Sequence, residues 1–177
     1  MSIQAGTHKI GPSNGSLKIK TGKEGAAAKM GHDLVLNVGS WEGTVDVGDS
    51  TSVELSADPK SVEVESGSGG AKPLGDKDKA DIKKSIDNKV LGSSQITFKS
   101  SEASVDGGKL NVKGDLSIAG QSDSVSVPCT IGDDGTVSGS LTFNQSNFGI
   151  KQFSAMMGAL KVKDSVTVDI EAKLPTE

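Results

Sequence analysis

"GKLNVKGDLSIAGQSDSVSVPCTIGDDGTVSGSLTF", residues 108–143, decides the fold. Leu110, Val112, Leu116 and Ile118 stand at even intervals. Val125, Val127, Cys129 and Ile131 keep the same rhythm, and Val137, Leu141 and Phe143 continue it. Successive side chains on a strand point to opposite faces, so a period of two reads as strands with one buried and one wet face. An antiparallel sheet is the arrangement that leaves one face to water.

The pattern extends in both directions. "DSVTVDIEAKL" (164–174) sets Val166, Val168, Ile170, Ala172 and Leu174 on one parity. Upstream, "GTHKIGPSNGSLKIKTG" (6–22) reads as strand, turn at Pro12 to Gly15, and a strand carrying Leu17 and Ile19. "HDLVLNVGSWEGTVDVG" (32–48) places Leu34, Leu36 and Val38 together, then Val45 and Val47 beyond the Gly39 to Gly43 turn. "TSVELSADPKSVEVESG" (51–67) repeats the motif with Val53 and Leu55, then Val62 and Val64. The expectation is an all-β protein, a single domain over residues 1–177, with an antiparallel sheet of about eight strands closed as a barrel or folded as a sandwich.

Two stretches depart from alternation. "GDKDKADIKKSIDNKVLGS" (75–93) spaces Ile82, Ile86 and Val90 four apart, which predicts one amphipathic helix near 78–91. Asp76 or Asp78 is its expected N-cap and Gly92 its stop. The Gly/Ser-rich residues 65–79 read as a flexible lead into it. In "KQFSAMMGALK" (151–161), Phe153, Met156, Met157 and Leu160 fall at helical spacing, so a short second helical turn is expected there.

Composition narrows function. All 19 basic residues are Lys in a chain of net charge −4. Arg is the residue of choice for bidentate phosphate and guanine contacts, so its absence argues against nucleic acid as a partner. The single cysteine, Cys129, excludes an intrachain disulfide framework. The N-terminal residues lack a secretory pattern and no apolar run reaches membrane-span length, so a cytoplasmic location is expected.

Catalytic material is sparse. His8 sits in an alternating stretch and reads as a structural side chain. His32 beside Asp33 invites a tautomer-fixing pair, but strand neighbours face opposite ways. A ring bonded to a backbone group is the favoured reading of His32. The two histidines and the cysteine show no metal-ligand spacing, and there is no GxSxG elbow or phosphate loop.

The core inventory is more informative. Aromatic residues are only 3% of the chain, and Gly39, Gly114 and Gly139 interrupt the inward rows. A barrel of this size is either filled by side chains or holds one small ligand. With so few aromatics, an aliphatic cavity is one outcome, with Met156 and Met157 as an adaptable wall. A core filled by the same residues is the other.

Several segments resemble the YceI-like, polyisoprenoid-binding family: "GHDLVLNVGSWEGTVDV" (31–47), "QITFKSS" (95–101), "GDLSIAG" (114–120), "FNQSNFGI" (143–150) and "GALKVKDSVTVDIEAKL" (158–174). Each is weak alone; their order is specific. The chain departs from many relatives at 119–124, with Ala119 in place of a histidine and Ser124 in place of a proline.

The resemblance implies an extended lipocalin-like antiparallel barrel with a helix at its mouth. It also implies a tunnel for a polyisoprenoid, isoprenoid-quinone or fatty-acyl amphiphile. By position it assigns Ile82, Ile86, Ile96, Phe98 and Phe148 to the tunnel and His32 to its edge. Leu34, Leu36, Val45, Phe143, Phe153, Met156, Met157 and Leu160 complete the expected lipid-binding set.

The expected role is non-enzymatic binding, transport or storage of that lipid. No cofactor is expected beyond a co-purified lipid, while peripheral membrane contact during lipid exchange and a homodimer through edge strands are expected partners. Two alternatives stand beside it. One is a filled barrel acting in stress or protein interaction. The other is an enzyme on a bound lipid, which needs His32 and a carboxylate inside the tunnel.

Overall fold

The structure is a computed structural model that describes residues 3–177; Met1 and Ser2 lie outside the described residues. Eleven strands build one curled antiparallel sheet. They are β1 (Gly6–Ile10), β2 (Gly15–Thr21), β4 (His32–Val38), β5 (Trp41–Val47), β6 (Ser52–Ala57), β7 (Val62–Gly69), β8 (Ile96–Asp106), β9 (Lys109–Ile118), β10 (Gln121–Ile131), β11 (Thr136–Asn144) and β14 (Ser165–Lys173). A small second sheet takes β12 (Ser154–Ala155), β13 (Leu160–Val162) and β3 (Lys23–Glu24).

The spatial order β1-β5-β6-β8-β9-β10-β11-β14-β2-β4-β7 ends at β1 and β7, so the sheet is a lipocalin-like half-barrel with two edges. The eleven strands exceed the expected eight or so because every short alternating run between glycines pairs as a separate strand.

The alternation turns into burial as expected. On β9, Leu110, Val112, Leu116 and Ile118 are buried while Lys109, Asn111, Lys113 and Asp115 are exposed. Two of the inward glycines do not open space, contrary to the expectation. At Gly114 a side chain would fall 2.3 Å from the Lys99 carbonyl oxygen, where β8 bulges between Ser100 and Glu102. At Gly139 it would fall 2.7 Å from Cys129 Sγ, so neighbours already occupy that room. Gly39 lies exposed in the β4–β5 turn.

The helix α1 runs Asp76–Ser85 and widens into one π-helical turn over Ile86–Val90, where the Leu91 N–H reaches the Ile86 carbonyl at 2.9 Å. Gly92, at φ +64°, ends it as expected. The N-cap is Gly75 instead of Asp76 or Asp78; the Asp78 carboxylate accepts the Gly75 N–H at 3.0 Å, the back-bond of a capping box. Lys83 Nζ donates to the Lys60 and Val62 carbonyls, both at 2.8 Å, and so ties the helix to the start of β7.

The expected short second helical turn is present as one irregular 3-10 turn, Met156–Gly158, closed by the Ala159 N–H on the Met156 carbonyl at 3.1 Å, and it goes no further. Residues 154–162 form a hairpin of β12 and β13. Its tip carries Met156 (φ 53°), Met157 (φ 57°) and Gly158 (φ 88°) in the left-handed region, which a right-handed helix cannot pass through. Elsewhere the main sheet has one thin seam. β10 pairs with β9 from Gln121 to Thr130 but with β11 only at Cys129, Thr130 and Ile131. Pro128, which has no N–H to give a ladder, stands at that boundary.

Candidate functional site

The concave face of the sheet encloses a cavity of about 430 Å³. Its wall is assembled by parity. β2 supplies Leu17 and Ile19, β4 supplies Leu34, Leu36 and Val38, and β14 supplies Val166, Val168 and Ile170. Register aligns them: Ile19 lies between Leu36 and Val168, and Val168 lies opposite Leu141 of β11. Ile96 and Phe98 of β8, Val112, Leu116 and Ile118 of β9, and Val127 and Cys129 of β10 form the facing wall. Ile82 of α1, Ile86 and Val90 close one end, and Phe153 and Val162, at the base of the hairpin, also line it.

Leu17, Ile19, Leu34, Val168 and Ile170 point inward yet are only half-buried, because what they face is empty space. The volume falls within the roughly 300–1,000 Å³ typical of ligand pockets.

Polar groups in the lining are few. Ser56 and Thr97, paired between the inward Leu55, Ala57, Ile96 and Phe98, border the cavity through their backbone, with their side chains on the outer face. Asp81 and Ser85 come from the helix. Gln145 is buried and its Nε2 donates to the Lys163 carbonyl at 3.1 Å. Thr21 Oγ1 is buried with no hydrogen-bond partner among the described residues. Burial pushes the Cys129 thiol above its ordinary pKa, so it stays protonated at neutral pH. No cluster of three or more His, Cys, Asp or Glu suited to a metal occurs among the described residues.

Of the residues expected from sequence, Leu34, Leu36, Ile82, Ile86, Ile96, Phe98, Phe143 and Phe153 line this cavity. Six others do not. His32 lies on the inward parity of β4, one step beyond Leu34, but its Nε2 meets the Lys72 carbonyl at 2.6 Å and its ring packs on Gly70. It fastens the loop leading into α1, and Asp33 is exposed on the strand's other face. Val45 is buried between β1 and β6, facing His8 and Val53. Phe148, 1% exposed, packs edge-on behind Phe143 at 5.2 Å between ring centres.

Met156 and Met157 project from the hairpin tip into solvent. Leu160 is held against Gly31. The expected set omits Leu17, Ile19, Val127, Cys129, Leu141, Val166, Val168 and Ile170, although the same period of two marks each as inward.

An apolar cavity inside a curled antiparallel sheet, with a helix across one end, defines a lipocalin-like class of protein. The chain matches the YceI-like domain over residues 9–174, and it belongs to the YceI-like family. Solved structures agree in fold. BcnA of Burkholderia cenocepacia is similar at 20% identity and a TM-score of 0.65, covering 89% of this chain and 94% of its own. A YceI protein of Campylobacter jejuni is similar at 16% identity and a TM-score of 0.59, covering 80% of this chain and 84% of its own. No curated protein sequence matches the chain.

Proposed function

We propose that this protein binds, and carries or stores, a single apolar lipid chain without transforming it. The observation that carries the reading is the cavity of about 430 Å³ with an almost wholly apolar wall. A chain inside it gains about 0.8 kcal/mol for each methylene taken from water. The family supports a polyisoprenoid, an isoprenoid-quinone or a fatty-acyl amphiphile as the cargo.

The hydroxyl of Thr21, on the inward row of β2, offers a polar contact for a small headgroup. His32, fastened to the Lys72 carbonyl outside the cavity lining, weighs against chemistry on the bound lipid.

Native mass spectrometry of gently purified protein tests this. A retained mass in the range of a long-chain lipid is expected. After delipidation, added fatty acid or isoprenoid alcohol should raise the melting temperature in a concentration-dependent way. Protein that retains no lipid and whose melting is unmoved by either addition would overturn the proposal.

A further inference from the structure

We propose that Met30, Met156 and Met157 form a membrane-docking face that seats the protein on an anionic bilayer beside the cavity. Four large apolar side chains are exposed among the described residues; three are Met30, Met156 and Met157, at 52%, 54% and 107%, and the fourth is Val105. The three methionines lie on segments that pack on each other. The Ala27 N–H donates to the Ala159 carbonyl at 2.7 Å, β3 pairs with β13, and Gly31 receives Leu160. The base of the same hairpin supplies Phe153 and Val162 to the cavity. The apolar tip and the apolar interior therefore belong to one structural unit.

The backbone gives a second reason. Met156 and Met157 hold consecutive left-handed conformations, which normally fall to Gly, Asn or Asp. Neither side chain gains packing in return, since both are exposed. Strain retained without a structural return is a mark of function. An unbranched thioether at a convex tip suits a fluid, shapeless partner such as the headgroup–acyl boundary.

Charge identifies that partner more closely. Residues 22–31 and 151–163 hold Lys23, Lys29, Lys151, Lys161 and Lys163 against one acid, Glu24, in a chain of net charge −4. No ion pair engages any of the five lysines among the described residues; Lys29, Lys151 and Lys163 are exposed, Lys161 stands opposite Glu24 across the β3–β13 pair, and Lys23 Nζ is held by the Gly31 carbonyl at 2.9 Å. An apolar tip on segments with an excess of exposed lysines matches an anionic lipid surface.

The purpose of docking rests on the lipid-carrier reading, but the test separates the two. Full-length protein is floated with phosphatidylcholine vesicles, with and without phosphatidylglycerol. Flotation with the anionic vesicles is expected, weakening with salt. The double variant Met156→Asn/Met157→Asn keeps the left-handed turn and should bind about tenfold less at unchanged melting temperature. Lys29→Gln/Lys161→Gln should reduce the preference for phosphatidylglycerol. Equal flotation of the methionine variant and the parent overturns the proposal. So does absence of flotation at low salt, or conversion of a parent dimer to monomer by that variant. Retained lipid, weighed in the same samples by native mass spectrometry, reports on the carrier reading independently.

Discussion

Val168→Phe separates an empty barrel from a filled one by the sign of a single measurement. Val168 sits mid-wall between Ile19 and Leu141, half-buried because it faces the cavity. Phenylalanine adds four carbons, worth about 3 kcal/mol if all are taken from water at about 0.8 kcal/mol each. Ordering the ring leaves the gain usually seen on filling cavities, about 0.5–2 kcal/mol. For a chain of this size that raises the melting temperature by roughly 2–6 °C.

The same ring excludes about four methylenes of cargo, which should weaken an acyl ligand by about two powers of ten. The assay compares delipidated parent and variant by circular-dichroism melting, then titrates each with a fluorescent fatty acid. Delipidation matters because bound cargo would itself raise the parent's melting temperature. In a filled core the substitution overpacks and costs about 1–3 kcal/mol. A melting temperature lowered by several degrees, or an unchanged affinity, would refute the reasoning.

Cys129 lines the cavity with its thiol held protonated by burial, so a neutral maleimide should label it more slowly at pH 8 than an exposed cysteine, and bound lipid should slow it further; mass spectrometry over time reads both. Lys83→Met removes two bonds from α1 to Lys60 and Val62, and should cost about 1–2 kcal/mol and speed exchange of the helix amides in deuterium. Lys20, and then Ser140, hold the Asp169 carboxyl below its ordinary pKa, against an opposing effect of burial. Its contribution to stability is therefore present above the unfolded value of about 4 and is lost as pH falls through the lower folded value. Because the pair is partly exposed, Asp169→Asn should change stability by no more than about 1 kcal/mol at pH 7 and flatten the acid limb of the melting profile.

Alternation made the strands and the identity of their inward residues legible, because one buried face imposes a period of two on the chain itself. Leu110, Val112, Leu116 and Ile118 could be placed on one face without coordinates. Whether such residues meet one another or face a void depends on sheet curvature and on cross-strand neighbours, which periodicity does not encode. Hence Val168 and Ile170 were readable as inward but not as cavity wall. The glycines misled for a related reason: the strands close up at Gly114 and Gly139. The Phe153–Leu160 spacing found the turn at Met156–Gly158 but not the hairpin that carries it. Four apolar residues in a short run fit a helix and a hairpin alike, and pairing across the tip decides between them. His32 obeyed its strand parity, but the loop near Lys72, distant in sequence, captured its ring.

The thin seam between β10 and β11 bears on how the proposed lipid would enter. From Gln121 to Val127, about 20 Å at the usual rise per residue, β10 has no ladder partner in β11. The gap is bridged by the turn Gln145–Phe148, with Phe148 wedged against Phe143 and Gly149 in close approach to Gln121. Parting the wall here breaks three cross-strand pairs and withdraws one aromatic wedge, whereas parting β8 from β9 would unzip nine. The half-barrel thus has a weak stave, and on the lipid-carrier proposal a branched tail too wide to thread lengthwise past the helix would have a sideways route in.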